Sequence, residues 1–147
     1  MDIKIPQKSE KTKDIKKEGQ IQPSSRMTNQ RLEIISYLQS TREHPTAEKI
    51  YFEIRKKLPK ISLGTIYRNL EFLQEKNLIK KLNFGEDKDR FDGDTSVHHH
   101  FCCLRCRRVI DLTLPDAYQL AERIVNSYNV EISEFSIIFK GRCNICK

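Results

Sequence analysis

The chain has 147 residues and a mass of 17.4 kDa, with 37% hydrophobic and 32% charged residues, which suits one domain or two small ones and excludes a wholly disordered chain. Lys and Arg number 27 against 20 Asp and Glu, and the resulting net charge of +7 favours a polyanionic partner. No apolar stretch approaches the roughly 20 residues that span a bilayer, and no apolar signal segment follows the amino terminus, so we expect a cytoplasmic protein without membrane attachment.

Residues 1–25 carry six lysines and four acidic side chains but no apolar stripe. This composition predicts a flexible basic arm, to which no function is assigned.

Three helices are predicted between residues 26 and 76. Each follows a hydroxyl residue suited to capping a helix amino terminus, namely Thr28, Thr46 and Ser62. Apolar residues at helical spacing are predicted to face the core: Leu32, Ile35 and Leu38 in the first helix, Ala47, Ile50, Ile54 and Leu58 in the second, Ile66, Leu70 and Leu73 in the third. On the third helix, Thr65, Arg68 and Asn69 are expected to face outward.

A short hairpin is predicted after the helices, from residues 79–84 and 89–91 around a turn at 85–88. Three helices followed by a hairpin predict a winged helix-turn-helix domain over residues 26–91. In such a domain the third helix enters the major groove of DNA and the hairpin, called the wing, lies along the phosphates.

A polar hinge at residues 92–96 separates this half from a small α/β half at residues 97–147, so the predicted fold class is α+β. Strands are predicted at 97–102, 109–114 and 130–139, with a bulge near Ser133 or Glu134, where the apolar alternation shifts. A helix is predicted from 115 to about 128, with Ala117, Leu120, Ala121 and Ile124 inside. About 50 residues make a thin core, so we expect a metal and a second subunit to complete it.

Four of the five cysteines form two Cys-x-x-Cys pairs, and they are Cys103, Cys106, Cys143 and Cys146. In a reducing cytoplasm such pairs indicate a metal site more than disulfides. Four thiolates suit tetrahedral Zn²⁺, and a site with four protein ligands is structural because no position stays open to a substrate. The fifth cysteine, Cys102, is either a buried core residue or, on the strand face of His98 and His100, a soft ligand or redox thiol.

The run His98-His99-His100 supplies a second set of candidate metal ligands. On a strand, His98 and His100 share one face while His99 points away. Asp111 interrupts the apolar alternation of the next strand and could meet them across the strand pair. Nitrogen and carboxylate ligands suit Fe²⁺ or Mn²⁺, although a polar surface strand without metal is the alternative.

Two further candidate ligands lie nearer the amino terminus. His44 stands at a helix junction of the DNA-binding half, and Asp92 stands at the hinge. A metal bound to both halves would fix their relative angle, and metal binding would then change the geometry with which the protein reads DNA.

Six motifs together resemble those of the ferric uptake regulator family. They occur in order between about Met27 and Lys147, as His44-Pro45-Thr46-Ala47, Ser62-Leu63-Gly64-Thr65-Ile66-Tyr67-Arg68-Asn69-Leu70, Arg90-Phe91-Asp92, His98-His99-His100, Cys103-Leu104-Arg105-Cys106 and Cys143-Asn144-Ile145-Cys146. The resemblance implies a homodimeric bacterial repressor of double-stranded operator DNA, with one structural Zn²⁺ per subunit on the four paired cysteines. It also implies one regulatory Fe²⁺ or Mn²⁺ per subunit, held by His44, Asp92, His98, His100 and Asp111.

Within the family the chain resembles the peroxide-sensing branch, the PerR-like regulators. Asp111 stands where iron sensors usually have Glu, and no His follows His100. In that branch hydrogen peroxide reacts with bound Fe²⁺ and a liganding histidine is oxidised, which here implies His44 or His98. The alternative is an iron-responsive repressor that senses Fe²⁺ without histidine oxidation, and Arg68, where some peroxide sensors have Asn, points toward the iron-sensor type of operator.

The predicted DNA-contacting residues are Ser62, Thr65, Tyr67 and Arg68 on the third helix and Lys80 and Lys81 on the wing. Lys88 and Arg90 could also meet phosphates, although a solvated charged hairpin has the same sequence pattern. For Tyr67 the alternative is partial burial. An enzyme, such as a metallohydrolase, is not expected, because no general base stands beside the histidines and the helix-turn-helix would have no purpose.

Overall fold

The structure is a computed structural model that describes residues 26–85 and 88–147; the predicted arm at 1–25 and the centre of the wing turn lie outside the described residues. The chain begins with three helices, α1 (Asn29–Ser40), α2 (Ala47–Lys57) and α3 (Leu63–Glu75). All three predicted caps are confirmed, since the hydroxyls of Thr28, Thr46 and Ser62 each accept a hydrogen bond from the backbone N–H three residues later.

One apolar core joins these helices. Its buried members are Ile34, Leu38, Ala47, Ile50, Ile54, Ile61, Ile66, Leu70, Leu73, Ile79 and Phe91. The predicted stripes of α2 and α3 are confirmed except at Leu58, which packs at the core's edge. In α1 the prediction for Leu32 is wrong: Leu32 is 53% exposed, and Ile34, two residues later in the same helix, is buried instead.

Asn69 also departs from its prediction, since the structure buries it between α3 and α1. Its Oδ1 atom accepts a hydrogen bond from Nε of Arg31 at 3.2 Å, and its Nδ2 atom donates to Oε1 of Gln30 at 3.3 Å. Because the amide is bonded at both ends, its burial does not leave a polar group unsatisfied.

The predicted wing is an antiparallel pair of strands, β1 (Lys80–Leu82) and β2 (Arg90–Asp92), with Lys81 opposite Phe91. Leu82 and Phe84, at the end of the first strand, pack on Cys102 and Val109 of the second half. The wing is therefore in contact with both halves of the chain.

The second half contains β3 (His99–Cys103), β4 (Val109–Leu112), α4 (Ala117–Tyr128) and β5 (Ile138–Gly141). The sheet has the order β4-β3-β5, in which β3 is antiparallel to β4 and parallel to β5. The predicted strand 130–139 is wrong over most of its length, and no bulge forms near Ser133 or Glu134, both of which lie in the described part of the chain. Residues 130–137 instead carry the chain back along the sheet, as a parallel neighbour of β3 requires.

Helix α4 buries Ala117 and Ala121, as predicted, but Leu120 and Ile124 are 46% and 39% exposed. Their predicted burial is thus wrong for a single chain, because the narrow alanine face is the one turned inward. No helix among the described residues is long and apolar enough to cross a membrane.

Candidate functional site

The five predicted ligands of the regulatory metal meet where the two halves touch. His44 lies in the loop before α2, Asp92 ends β2, His98 precedes β3, His100 lies in β3 and Asp111 lies in β4. Oδ2 of Asp92 lies 2.9 Å from Nε2 of His98, 3.5 Å from that of His44 and 3.6 Å from that of His100. Oδ1 of Asp111 lies 2.8 Å from Nε2 of His44 and 3.7 Å from those of His98 and His100. We call this group the His/Asp centre.

Local backbone structure places these side chains. His44 has a left-handed backbone with φ of 48°, which turns the chain sharply before Pro45. The β3–β4 register sets His100 directly opposite Asp111, as strand alternation predicted. Gly93 follows Asp92 and abuts the last turn of α1, where a Cβ atom would lie 2.7 Å from the carbonyl carbon of Leu38.

The His/Asp centre satisfies the geometric conditions of a metal site. The Nε2 atoms of its three histidines, Oδ2 of Asp92 and Oδ1 of Asp111 are all buried without a hydrogen bond of their own. Buried polar atoms are otherwise almost always satisfied. The ligand atoms of His44, Asp92, His98 and His100 all lie within 4.8 Å of one another, and Oδ1 of Asp111 lies within 3.7 Å of the three imidazole nitrogens. Imidazole nitrogens with carboxylate oxygens are a donor set suited to Fe²⁺ or Mn²⁺.

Electrostatics in the centre also favour a cation. Burial alone would raise the pKa of Asp92, but its contacts with His100 and His44 outweigh burial and hold that pKa far below the ordinary range. For His44, burial acts to lower the pKa, and the stronger combined pull of Asp92 and Asp111 raises it above its ordinary value. Asp92 is therefore ionised at neutral pH, and the two carboxylates favour positive charge among the histidines.

One side of the centre is open. The side chains of His44 and His100 are 2% and 3% exposed, but that of Asp111 is 31% exposed. Asp111 and His98 line a cleft of about 700 Å³ between α1 and β4, together with Arg42, Gly93 and Tyr118. A small molecule can approach the centre from this side.

The two Cys-x-x-Cys pairs also come together. Cys103 ends β3 opposite Gly141 in the parallel β3–β5 pair, so the turns that follow both strands are adjacent. Their four sulfur atoms all lie within 4.8 Å of one another, and Sγ of Cys106 lies 3.7 Å from Sγ of Cys143. Zn–S bonds of about 2.3 Å in a tetrahedron place sulfurs about 3.8 Å apart, so the cluster fits Zn²⁺. We call it the four-cysteine knuckle.

Within the four-cysteine knuckle, hydrogen bonding favours a thiolate at Cys103 and a protonated thiol at Cys146. Backbone N–H groups of Cys106 and Cys143 donate to Cys103 and lower the pKa of its thiol to about 6. Hydrogen bonding with the Cys106 and Cys143 side chains raises the pKa of Cys146 to about 12. At neutral pH the Cys103 thiolate thus lies among hydrogen-bonded cysteine side chains, and its negative charge favours a bound cation.

The remaining histidine and cysteine of this strand lie outside both clusters. His99 points away from the His/Asp centre, as predicted, and its Nδ1 atom accepts a hydrogen bond from the backbone N–H of Ile137 at 3.2 Å. Cys102 is buried in an apolar cluster with Phe84 and Val109, as a core residue would be.

The predicted DNA-contacting residues of α3 form one exposed surface at its amino-terminal end. Ser62 and Thr65 share a hydrogen bond at 2.9 Å, and Nη2 of Arg68 donates to the Thr65 hydroxyl at 3.1 Å. Tyr67 is 48% exposed and so can be reached from solvent, although about half of its surface is covered.

On the wing, the lysines pair within the protein: Nζ of Lys80 donates to the Ser96 carbonyl at 3.0 Å, and Lys81 pairs with Asp89 at 2.8 Å. Arg90 turns inward between the two halves. Neither this inward turn nor the close packing of Gly93 was predicted: Arg90 was expected at most to meet phosphates, and the only sequence signal for Gly93 is that it follows Asp92.

Comparison with known protein families matches residues 22–140 to the ferric uptake regulator family. The chain belongs to the ferric uptake regulator family. This family member is 33% identical to the peroxide-responsive repressor PerR of Staphylococcus epidermidis over 122 residues, which cover 83% of this chain and 81% of that protein. It is also 33% identical to the peroxide operon regulator of Bacillus subtilis over 121 residues, 82% of this chain and 83% of that protein.

Solved structures of other family members have the same fold. The Campylobacter jejuni peroxide stress regulator is 32% identical with a TM-score of 0.72, covering 80% of this chain and 88% of that one. The Helicobacter pylori ferric uptake regulator, described as having three functional metal-binding sites, is 26% identical with a TM-score of 0.75, covering 82% of this chain and 81% of that one. The family resemblance inferred from the motifs is thereby confirmed.

Proposed function

We propose that this protein is a metal-dependent, homodimeric transcriptional repressor that senses hydrogen peroxide through oxidation of a metal-ligand histidine. The observation that carries the proposal is the His/Asp centre, whose ligand atoms come from both halves of the chain and which opens on one side to a cleft. The proposed units are a DNA-binding domain at 26–91, a hinge at 92–96 and a dimerisation domain at 97–147. The repressor would act in the cytoplasm, beside the chromosome, without enzymatic turnover.

The centre supports control of DNA binding because its ligands span the hinge. His44 belongs to the helical half and Asp92 to the wing, whereas His98, His100 and Asp111 belong to the second half. A cation bound by all five restrains the angle between the halves, and so selects one arrangement of α3 toward DNA. The four-cysteine knuckle, at the far end of β3, would hold structural Zn²⁺ and keep β5 in the sheet.

Peroxide sensing is supported by the position of the cleft. Fe²⁺ bound at the centre would supply the one-electron chemistry that activates hydrogen peroxide. His98 borders the cleft, and His44 is buried behind it, 2.8 Å from the carboxylate of Asp111 at the centre's open side. In the net reaction the imidazole is the two-electron reductant: the O–O bond of peroxide and one ring C–H bond break, a hydroxyl group bonds to that carbon, and the second oxygen leaves as water with the displaced hydrogen. The modified ring no longer supplies the same ligand, and the restraint between the halves is lost.

Exposed surfaces support the proposed DNA interface and dimer. Ser62, Thr65, Tyr67 and Arg68 present hydroxyl and guanidinium groups at one end of α3, and Arg suits the paired acceptors of guanine. Lys80 and Lys81 of the wing would approach phosphates. The second half leaves a set of large apolar side chains exposed on α4 and β5, which a partner subunit would cover: Leu120, Ile124, Tyr128, Ile138 and Phe139.

The deciding experiment is peptide mass spectrometry of Fe²⁺-loaded and Mn²⁺-loaded protein after low peroxide, with operator binding followed by fluorescence anisotropy. We expect addition of one oxygen atom to the peptide of His44 or His98 with iron only, in proportion to loss of DNA binding. The Mn²⁺-loaded protein is the matched control. Unmodified histidines, with DNA binding that follows metal occupancy alone, would refute peroxide sensing and establish the iron-responsive alternative.

A further inference from the structure

Arg90 connects the surroundings of the two metal-ligand clusters. This half-buried side chain leaves β2 toward the second half of the chain. Its Nη1 atom donates to the backbone carbonyl of His44 at 3.4 Å, and its Nη2 atom donates to the backbone carbonyl of Arg107 at 3.0 Å. His44 belongs to the His/Asp centre, and Arg107 directly follows Cys106 of the four-cysteine knuckle.

Both carbonyls belong to turns with uncommon backbone geometry. His44 has φ of 48° and Arg107 has φ of 61°, in the left-handed region that L-residues rarely adopt. Each turn therefore depends on surrounding contacts to keep its shape. A guanidinium group offers its donors in one fixed plane. When the carbonyl of His44 fixes the position of this plane, the position available to the carbonyl of Arg107 is therefore restricted as well.

Strand β2, which carries Arg90, is also linked to the His/Asp centre through two other residues, Asp92 and Phe91. Arg90 and Asp92 are the two ends of the three-residue strand β2, and their side chains lie on one face of it, so a shift of this strand moves both. The backbone N–H of Phe91 donates to the carbonyl of Pro45 at 3.0 Å, which ties β2 to the residue after His44. Two of the five predicted ligands are thus fixed to the strand that carries Arg90.

We propose that Arg90 is a positioning residue that couples the His/Asp centre to the four-cysteine knuckle. A cation in the centre fixes His44 and Asp92, and through Arg90 this restrains the turn after Cys106. By thermodynamic reciprocity, an ordered knuckle in turn favours cation binding at the centre. The inference rests on the proposed function only in requiring that both clusters bind metal; it requires neither peroxide nor DNA.

The test follows amide hydrogen exchange of the knuckle turn, residues 103–108, in full-length zinc-loaded protein with and without saturating Mn²⁺. Electron paramagnetic resonance of Mn²⁺ first establishes saturation of each variant. We expect Mn²⁺ to slow exchange of this turn about three- to tenfold in the unsubstituted protein, which corresponds to the net contribution of one hydrogen bond. In Arg90→Met this dependence on Mn²⁺ should vanish.

Two variants separate coupling from general stability. Arg55→Met is the matched control, because Arg55 is exposed on α2, where its Nη1 atom donates to the Tyr51 hydroxyl. Arg55→Met should keep the full Mn²⁺-dependent slowing of exchange. Arg90→Lys keeps the positive charge but lacks the planar pair of donors, so it should lose most of that slowing. If Arg90→Met does not fold, Arg90→Lys alone tests whether Arg90 couples the two clusters.

Undiminished Mn²⁺-dependent protection in Arg90→Met or in Arg90→Lys would overturn the inference while leaving the proposed function intact. Failure of the unsubstituted protein to bind Mn²⁺ at the His/Asp centre would overturn both.

Discussion

The packing of Gly93 gives a sharp test of how the His/Asp centre is positioned. A Cβ atom at this residue would lie 2.7 Å from the carbonyl carbon of Leu38 and 2.8 Å from both the Leu38 oxygen and the Gln39 nitrogen. These are backbone atoms of α1 and cannot rotate away. Ordinary contact begins at 3.4 Å, so in Gly93→Ala the chain beside Asp92 must retreat by about 0.7 Å.

Two effects of this displacement can be measured. Overpacking of this kind costs about 1–3 kcal/mol, so the free energy of unfolding in urea should fall by that amount. Asp92 adjoins the displaced residue and lies 2.9 Å from His98, so its carboxylate should move relative to the other ligands. We expect Mn²⁺ affinity, measured by electron paramagnetic resonance, to fall about tenfold, as for other changes to residues that orient ligands.

Gly64→Ala is the matched control. A Cβ atom at Gly64 would lie 3.9 Å from the Ser62 hydroxyl oxygen and meet nothing closer, so this substitution should stabilise α3 by up to about 1 kcal/mol and leave Mn²⁺ affinity unchanged. If Gly93→Ala matched the unsubstituted protein in both stability and Mn²⁺ affinity, the reasoning from close packing would be refuted.

Three other outcomes are expected. Asn69→Ala removes two hydrogen bonds between α3 and α1, each worth about 0.5–1.5 kcal/mol, and should lower the free energy of unfolding in urea by about 1–3 kcal/mol. The pKa of His44 is raised by its carboxylate neighbours. Without regulatory metal, the protonated imidazole therefore stabilises the folded protein; this contribution is fully present below the ordinary pKa of His44 and is lost as pH rises through the raised pKa. Because a bound metal displaces that proton, Mn²⁺ affinity should fall as pH drops through the raised pKa. Leu120→Glu should shift sedimentation from dimer to monomer by placing a charge in the exposed apolar face of α4.

Each of these three predictions is checked by a control variant or by a result that would contradict it. Glu71→Ala, an exposed change on the same helix as Asn69, should leave stability nearly unchanged. Mn²⁺ affinity that stays constant from about pH 5 to pH 8 would contradict the role of His44. Gln119→Glu adds the same charge at an exposed polar position beside Leu120, and dissociation of both variants alike would show that charge, and not the apolar face, controls assembly.

The elements predicted correctly from the sequence are those whose signal is local. Helices α2 and α3 combine caps with a single apolar stripe, and the alternation of His98, His100 and Asp111 was enough to predict their convergence. In α1 the adjacent Ile34 and Ile35 allow two helical faces, and only packing against the other helices selects the face of Ile34 and exposes Leu32.

The errors arose where distant partners decide the structure. Asn69 is polar, but its burial is stabilised by side chains of α1 that lie more than 30 positions earlier in the chain. Residues 130–137 alternate like a strand, yet a strand forms only where an unpaired sheet edge is within reach, and β3 offers that edge only to Ile138–Gly141. The packing of Gly93 and the inward turn of Arg90 likewise depend on distances that a sequence does not contain.

The parallel pairing of β3 with β5 has a consequence for the order of folding. His100 pairs with Ile138, across a sequence separation that no tight turn can close, whereas β3 and β4 are joined by the short turn between Cys103 and Val109. Closing the longer loop is slower because its entropy is lost before its contacts form. We expect pulse-labelled hydrogen exchange to show protection of the β3–β4 hairpin before that of β5. The newly folding second half would thus hold Cys103 and Cys106 in place first, and become able to retain zinc only when β5 brings Cys143 and Cys146 beside them.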